Sequence, residues 1–527
     1  MASTLPLHPD VTRAGTQPAF RSWALRLGLG LSAFVMPLGA VAMQSERPDA
    51  ETIARAVDSL ASRAVAMGLT PALGVALTMD GRTVYARSHG VVDATGAVGA
   101  DDRTLWYLAS TSKSLTGFGI AILAQQGVLR LEAPITKWLP ATRWHRAARA
   151  ESLTLARFLS HTHYLNDNAV VMSAAFTGAI PEARWPQLLA LAEPAGNTDL
   201  VYSNFGYNVA AMVMDAVRPE GWRRYLEHHV YRPAGMHETY ARVTGLDPRR
   251  IARPHRLRAD GRYETQPFFK TDATMNSAGG HLATLQDLAR WTIVQMDSGM
   301  IDGQRVFPAE AVELSHALIA RQTRDAAKRF AFFDREGWGA GWDIGTYEGE
   351  RMVSRFGSYH STRSHLSFLP GRRIGVVAMS TGGLGSSCTD VIAALAYDLE
   401  AGRADARTRA EQRLTELRTR LDAARRNVAA ADSVRAARQQ QAFSRPLTDY
   451  AGTYAEPSFG EITFTVRNGR LEYRWGALYG PAELFDAAKQ QIRIEIAGSG
   501  NVVTFAAPDA GPASALEVQG ITFRRTP

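Results

Sequence analysis

The spacing of hydrophobic residues changes several times along this chain, and each change predicts a different element. Between Asp49 and Leu69 hydrophobic residues recur every three or four positions, which predicts an amphipathic helix with Asp49 at its N-cap. The next stretch, ALGVALTMDGRTVYARSHGVVD, alternates between hydrophobic and polar residues around Asp80 and Gly81, which predicts a β-hairpin. The recurring helix positions are Ile53, Val57, Leu60, Ala64 and Met67.

Helical periodicity then dominates from Ser112 to about Val217, and strand-like runs return later in the same unit. These runs are WGAGWDIGTY, RMVSRFG, HLSFLP and RIGVVAMST, and a helical run, CTDVIAALAYDLEA, follows them. Strands at both ends of a long unit, with helices between them, predict one α+β domain. Its N-terminal and C-terminal strands should share a sheet, and the middle should form a helical insertion.

Two further segments follow this unit. The stretch from Arg403 to Gln441 has neither Gly nor Pro and carries one hydrophobic stripe, which predicts a linker helix. From Leu447 onward the runs EITFTVRNGRLEYRW, QIRIEI, NVVTFAA and ITFRR alternate and are separated by Asn-Gly and Gly turns. They predict a small all-β domain, either a barrel or a sandwich. The stripe of the linker helix consists of Leu414, Leu417 and Leu421.

The N-terminus has the pattern of a targeting segment. Arg13, Arg21 and Arg26 precede the hydrophobic run LGLGLSAFVMPLGAVA, which ends in two small residues, Ala40 and Ala42, with one residue between them. This order predicts a secretory signal peptide over residues 1–42, with a retained membrane anchor as the alternative. We therefore expect a periplasmic or secreted protein without a stable membrane span after cleavage.

Composition excludes few classes of protein, and charge adds one local feature. Hydrophobic residues make up 46% and charged residues 21% of the 527 residues, as in an ordinary globular protein. The net charge is +8, and residues 403–445 contain eleven Arg against five acidic residues. A solvated basic helix explains this excess, and no zinc-finger spacing or RNA-binding aromatic motif points to nucleic acid. The single cysteine, Cys388, excludes an intramolecular disulfide.

The candidate chemistry begins at LASTSKSLTG, where Ser110 and Lys113 lie three residues apart before a hydrophobic helix. A helix that begins near Ser110 would place both side chains on one face. A serine hydroxyl needs an adjacent base to act as a nucleophile, and a lysine of lowered pKa can be that base whereas an arginine cannot. Only five of the 59 basic residues are lysines, so this lysine is notable. The alternative is a capping serine cluster before a surface lysine.

The surrounding residues resemble a known family. WYLASTSKSLTGFGIAILAQQGVLRLEAPITKWLP is similar to the nucleophile helix of the serine β-lactamase/penicillin-binding-protein superfamily, in its class C-like branch. The resemblance runs from about Pro71 to Glu400 and includes FLSHTHYL, VYSNFGYNVAAMVMDAV, YRPAGMHET and SAGGHLATLQDLARW. It implies a β-lactamase/transpeptidase-like fold, an antiparallel sheet flanked by helices with a helical subdomain. It also implies that Ser110 is acylated and that Lys113 is its partner. We expect no cofactor.

A second family motif, Y-x-N, matches Tyr202, Ser203 and Asn204. A phenol can relay a proton at neutral pH only if nearby cations stabilise its ionised form, and Lys113 could be one of them. Asn204 could hold Lys113 and a substrate amide. Tyr164, Leu165 and Asn166 fit the same pattern, but they follow LSHTH where the family has a Ser-Gly turn, so Tyr202 is preferred. The alternative is a turn that merely leads into the next helix.

The third family motif departs from its usual form. Arg355, Phe356 and Gly357 lie where the family has Lys or His, any residue, and Gly. By the family pattern, the backbone amide of Ser358 joins that of Ser110 in an oxyanion hole. An arginine here could bind a substrate carboxylate or place charge near the Tyr202 phenol; the alternatives are a head group that points to solvent or one that pairs with a structural acid. His360 is an alternative polar contact.

Other motifs are weaker. His161 and His163 could bind a metal, but no acidic or cysteine partner is recognisable in the sequence, so no metal is expected. The terminal β domain resembles the lipocalin-like domain appended to such hydrolases, and it could cover the catalytic domain or bind substrate.

These patterns divide the chain into a signal peptide at 1–42, a hydrolase domain at 43–400, a basic helical linker at 401–445 and a small β domain at 446–527. We expect an exported serine hydrolase that acts on a small-molecule or peptide amide or ester: a β-lactam, a D-amino-acid peptide or a carboxylic ester. A non-catalytic binding protein that keeps the fold is the alternative. The oligomeric state is left open.

Overall fold

Strands from the two ends of the predicted hydrolase domain meet in one antiparallel sheet, as the alternation of the sequence predicts. The computed structural model describes residues 48–166, 168–195, 200–267, 269–322, 332–508 and 511–527. The predicted signal peptide lies outside these residues. The strand Ala72–Met79 pairs on one side with Arg82–Gly90 and on the other with Ile374–Ser380, where Leu73 lies opposite Ser380. In spatial order the eight strands are Ala320–Arg321, Asp334–Trp338, Asp343–Tyr347, Glu350–Tyr359, Thr362–Leu369, Ile374–Ser380, Ala72–Met79 and Arg82–Gly90.

Helices cover both faces of this sheet, and this explains why Ala72–Met79 is buried along its whole length. Leu73, Val75 and Leu77 pack in one hydrophobic cluster with the helices Ala50–Ala66 and Gly385–Glu400. Ala72 and Ala76 face the other cluster, which includes the helices Ser112–Gln125 and Leu285–Met296. The first helix begins as predicted, because the Asp49 side chain accepts a hydrogen bond from the Thr52 amide.

One run predicted to be strand-like is interrupted. WGAGWDIGTY contains the end of the strand Asp334–Trp338 and the strand Asp343–Tyr347, with a turn over residues 339–342 between them. Gly341 has a φ of 95° and packs so closely against the Lys113 carbonyl that a Cβ there would overlap it. The turn therefore brings the sheet against the helix Ser112–Gln125.

The predicted helical insertion is present between the sheet strands. Its longer helices are Ser112–Gln125 and Phe205–Val217, and most residues of both are buried. Other α-helices in this part of the chain are Leu155–Leu159, Asn168–Met172, Trp185–Leu188, Gly221–Leu226, Leu285–Met296 and Ala309–His316, and the π-helices are Ser173–Thr177 and Glu227–Tyr231. The short strands are Trp106–Tyr107, Leu165–Asn166, Glu193–Pro194, Thr239–Tyr240, His255–Leu257, Tyr263–Thr265, Leu282–Ala283, Met300–Ile301 and Gln304–Arg305.

A long helix, Ala406–Gln439, and a second sheet complete the described structure. The predicted stripe of this helix, Leu414, Leu417 and Leu421, is buried against the helix Gly385–Glu400 and its neighbours. The second sheet has nine antiparallel strands and is nearly closed, so we call it the barrel. In spatial order its strands are Leu478–Pro481, Arg470–Trp475, Gly460–Arg467, Gly452–Glu456, Ile521–Arg525, Ala515–Val518, Ser499–Ala506, Gln491–Ile496 and Glu483–Asp486.

Two further observations concern single features. Cys388 is 2% exposed on the helix Gly385–Glu400, and burial raises the pKa of its thiol to about 12. Within the described ranges, no helix combines the length and the hydrophobicity needed to cross a membrane.

Candidate active site

Ser110 lies in a short 3₁₀ turn, Ala109–Thr111, that runs directly into the helix Ser112–Gln125. Ala109, just before it, has a left-handed φ of 45°, a conformation that costs free energy for a residue with a Cβ. The strand Glu350–Tyr359, called the site strand below, approaches this turn at Gly357. A Cβ on Gly357 would overlap the Leu108 carbonyl and the Ser110 amide. Glycine is therefore needed where the strand meets the candidate nucleophile.

Lys113 is fully buried and directs its ammonium group at Ser110. Its Nζ lies 3.1 Å from Ser110 Oγ, 2.6 Å from Asn204 Oδ1 and 2.7 Å from the Ala278 carbonyl oxygen. These three acceptors use all three donors of a lysine ammonium and hold it in one position. Burial lowers the pKa of Lys113 to about 8, with a raising effect from Tyr202 and a lowering effect from Arg355.

Tyr202 also contacts the Ser110 hydroxyl. Its phenol oxygen lies 2.7 Å from Ser110 Oγ, and the residue is 45% exposed, so the ring borders the open part of the site. Burial of its oxygen opposes ionisation, but the positive charges of Arg355 and Lys113 outweigh this effect. Together with the Ser110 hydrogen bond they lower the pKa of Tyr202 to about 8. The structure thus brings Ser110, Lys113, Tyr202 and Asn204 together.

Arg355 is 1% exposed, and its guanidinium is engaged within the protein. Its Nη2 donates to the Tyr202 oxygen at 2.8 Å and its Nε donates to the Ser110 carbonyl at 3.0 Å. Its Nη1 lies 3.5 Å from Asp343 Oδ1. Of the roles that the sequence left open, these contacts favour charge near the phenol, with the structural acid Asp343 as a second partner, and the burial of Arg355 contradicts a head group in solvent.

Asp343 connects Arg355 to another buried arginine. Its Oδ1 lies 3.2 Å from Arg335 Nε, and both residues are less than a tenth exposed. One buried carboxylate between two guanidinium groups leaves the surroundings of Tyr202 positively charged. The region behind Ser110 therefore favours negative charge on the phenol and on a substrate oxygen.

Gly357 and Ser358 occupy the part of the site strand next to Ser110. Ser358 is exposed, and its Oγ accepts a hydrogen bond from Arg363 Nη1 at 3.2 Å. Because Gly357 touches the Ser110 turn, its neighbour Ser358 is placed at the same edge. The role of its amide in an oxyanion hole stays a prediction.

The alternative residues lie elsewhere or have other partners. The Tyr164 hydroxyl bonds to Ser152, and Asn166 is exposed, so this Y-x-N match does not contact Ser110 in the described structure. His161 packs on the Tyr202 ring at 4.6 Å between centroids, and its Nδ1 accepts from the Ser203 amide. Among the residues that the structure describes, His161 and His163 belong to no group of three or more potential metal ligands. His360 lies beyond the site strand, where it contacts the barrel.

Several contributing groups were missed by the sequence reasoning. The Ala278 carbonyl holds Lys113, Asp343 holds Arg355, and the Trp338 ring packs 5.5 Å from the Tyr202 ring. Asp343 carried one signal, since it is the only charged residue in the run WGAGWDIGTY. A backbone carbonyl carries no signal in its side chain, so Ala278 could be found only through the structure.

Comparisons with known proteins found a matching family and related sequences. A family model described as Beta-lactamase matches residues 57–399. Penicillin-binding protein 4 of Amycolatopsis lactamdurans is 24% identical over 323 residues, which are 60% of this chain and 82% of that protein. An unguisins hydrolase of Aspergillus violaceofuscus is 22% identical over 437 residues, 76% of this chain and 75% of that protein.

Two solved structures are similar in fold. The octameric penicillin-binding protein homologue from Pyrococcus abyssi has a TM-score of 0.56 at 18% identity, with 89% of this chain and 98% of that chain covered. The D-amino acid amidase from Ochrobactrum anthropi SV3 has a TM-score of 0.53 at 18% identity, with 69% of this chain and 98% of that chain covered. At such identities the likeness establishes the fold alone.

Proposed function

Because the chain belongs to the beta-lactamase family, we propose that it is an exported serine hydrolase that cleaves an amide or ester bond through an acyl-enzyme on Ser110. One observation carries this proposal. Ser110 Oγ lies within hydrogen-bond distance of both Lys113 Nζ and the Tyr202 oxygen, and the pKa of each of these groups is lowered to about 8. A serine with two such neighbours has what a nucleophile requires. Export rests on the N-terminal sequence pattern.

The proposed reaction has two steps. In acylation, Ser110 Oγ attacks the substrate carbonyl carbon while its proton passes to the Tyr202 oxygen or to Lys113. The same proton then passes to the leaving group as the bond to it breaks. The Ser110 and Ser358 amides would stabilise the oxyanion. In deacylation, water attacks the ester carbonyl, gives a proton to the same base and releases the acid, and Ser110 recovers its proton.

The names of the relatives support a hydrolase activity for this chain, and they indicate more than one class of substrate. Their names include a penicillin-binding protein, an unguisins hydrolase and a D-amino acid amidase. One site of this kind can host different acyl substrates, so we retain a β-lactam, a D-amino-acid peptide or amide, and a carboxylic ester. The non-catalytic binding protein is less well supported, because such a protein would not need lowered pKa values beside the serine.

Covalent labelling tests the proposal. The purified protein is treated separately with a fluorophosphonate and with benzylpenicillin, and its intact mass and the peptide that contains Ser110 are measured. We expect one adduct, on Ser110, and turnover of at least one of p-nitrophenyl acetate, D-phenylalanine amide and nitrocefin. Binding without any adduct or turnover would instead identify the non-catalytic alternative, and an adduct on another serine would contradict the assignment.

Arg355→Ala should raise the pH at which the enzyme becomes active. Removal of this charge raises the pKa of Tyr202 above about 8, so less phenolate is present at neutral pH. The midpoint of the acid limb of kcat/KM should therefore move to higher pH. Activity below the midpoint should fall by about tenfold for every pH unit that the midpoint moves. Steady-state kinetics of a neutral and a carboxylate-bearing ester, from pH 6 to 10, measure this.

The conservative variant separates the possible roles of Arg355. Arg355→Lys keeps the charge and should move the midpoint less. Equal losses for both esters, with a midpoint at higher pH, are expected. A loss confined to the carboxylate-bearing ester, with an unchanged midpoint, would show that Arg355 anchors substrate.

A further inference from the structure

Among the parts of the predicted hydrolase domain that the barrel contacts are two elements that also contact each other. One is the site hairpin, formed by the strands Glu350–Tyr359 and Thr362–Leu369 with His360 and Ser361 at its tip. The other is residues 172–179 of the helical insertion, called the helical lip below, which include the π-helix Ser173–Thr177.

The first contact joins two hairpin tips. Gly498 lies in the turn between the barrel strands Gln491–Ile496 and Ser499–Ala506, with a φ of 79°. A Cβ on Gly498 would lie less than 3 Å from three atoms of the His360 ring. His360 itself has a φ of 58° and follows Ser358 by two residues. The barrel therefore rests directly on the tip of the hairpin that carries the predicted oxyanion amide.

The second contact attaches the barrel to the helical lip. The Ala477 amide donates to the Thr177 carbonyl oxygen at 2.7 Å. Gly476 has a φ of 57°, and a Cβ there would overlap the same carbonyl. Met172 packs within the hydrophobic core of the barrel, and Phe176 packs against it. Hydrogen bonding and hydrophobic burial thus both hold this lip to the barrel.

The hairpin and the lip also contact each other behind the site. The Phe176 and Tyr359 rings stack with their centroids 6.0 Å apart. The buried Lys270 donates to the Ala175 carbonyl, and its Nζ lies 3.7 Å from the Tyr359 ring centroid and 5.5 Å from that of Tyr107. Tyr107 precedes Ser110 by three residues. The contact between hairpin and lip therefore adjoins the nucleophile turn.

We propose that the barrel is a bridge that holds the site hairpin and the helical lip at a fixed separation and so positions the Ser358 amide relative to Ser110. Gly498 and Gly476 are the positioning residues at its two ends. This inference rests on the proposed acyl-transfer function. An oxyanion amide must be placed to within a fraction of an ångström, and a displacement of 1 Å can reduce the rate by about a hundredfold.

Two glycine variants test the bridge, and the barrel supplies a matched control for each. Gly498→Ala and Gly476→Ala collide with His360 and Thr177. Gly520→Ala and Gly469→Ala lie in barrel turns with φ of 76° and 70° and have open space around the added methyl. Because all four glycines have positive φ, backbone strain is similar and only the bridge contacts differ.

We expect kcat for p-nitrophenyl acetate to fall by about tenfold to a hundredfold in Gly498→Ala and Gly476→Ala, with KM within about twofold. The two control variants should match the wild type. Hydrogen–deuterium exchange should become faster in both the hairpin and the lip in each bridge variant, including the element far from the substitution. The double variant should lose little more than either single one, because loss of one end already releases the bridge.

His360→Ala keeps the test decisive if a glycine variant does not fold, since it removes the ring that Gly498 approaches and introduces no collision, and it should speed exchange in the lip. Faster exchange confined to the substituted element, or additive losses in the double variant, would overturn the proposal. If the wild-type protein neither turned over a substrate nor formed a covalent adduct, the proposed hydrolase function would be contradicted. Hydrogen–deuterium exchange would still show whether the barrel couples the hairpin to the lip.

Discussion

Ser110→Ala is expected to abolish covalent labelling and to reduce turnover by about a thousandfold or more, because no other hydroxyl described at the site has both Lys113 and Tyr202 beside it. The substitution removes one oxygen that bonds to Lys113 and Tyr202 and leaves the carbonyl that Arg355 holds. The fold should therefore persist, as circular dichroism and the melting temperature would report. Intact-mass labelling and steady-state kinetics measure the loss.

A matched control lies two residues away. Ser112 is fully buried, and its hydroxyl has no hydrogen-bond partner among the described residues. Ser112→Ala should retain labelling and activity because it removes a hydroxyl without removing a hydrogen bond to a described residue. Retention of most activity in Ser110→Ala would place the nucleophile elsewhere.

Lys113→Arg is expected to inactivate nearly as fully as Lys113→Ala, by about a hundredfold to ten-thousandfold in kcat/KM. A guanidinium does not deprotonate near pH 8, so it cannot take a proton from Ser110. It is also larger than the ammonium, which three acceptors at 2.6–3.1 Å already surround. Steady-state kinetics from pH 6 to 10 compare the two variants with the wild type.

The same exchange at an exposed lysine serves as the control. Lys489 pairs with Asp486 on the barrel surface, and Lys489→Arg keeps that ion pair possible and should leave kcat/KM unchanged. Near-normal turnover in Lys113→Arg would mean that Lys113 supplies only positive charge and that Tyr202 alone is the base.

Much of the fold was predictable from the sequence because the patterns typical of helices, strands and turns depend on residues that are close together in the chain. Alternation around Asp80 and Gly81 predicted a hairpin, and the structure confirms it with φ values of 49° and 77° at these residues. The stripe of leucines predicted the face that the helix Ala406–Gln439 buries. The run WGAGWDIGTY was predicted to be strand-like, but a turn that contains Gly341 interrupts it where the chain packs against the Lys113 carbonyl, a contact between residues far apart in sequence.

Within a motif the candidate site was predictable from spacing, whereas contacts between motifs, such as that of Tyr202 with Ser110, were predictable only through the family resemblance. Ser110 and Lys113 lie one helical turn apart, so their contact follows from spacing alone. The pairing of Arg355 with Asp343 and of Gly498 with His360 depends on how separate elements pack. The spacing of residues along the sequence does not predict such contacts between distant elements. The side chain of Ala278 likewise gives no sign that its backbone carbonyl accepts a hydrogen bond from Lys113.

The buried thiol of Cys388 has a practical consequence. It is the only cysteine in the 527 residues, it is 2% exposed, and its pKa is about 12. Maleimides and similar reagents attack the thiolate, so the folded protein should remain almost unmodified at neutral pH. Fluorophores or spin labels can therefore be attached at chosen surface positions without first removing a native cysteine, which makes the distance between hairpin and lip accessible to spectroscopy in solution.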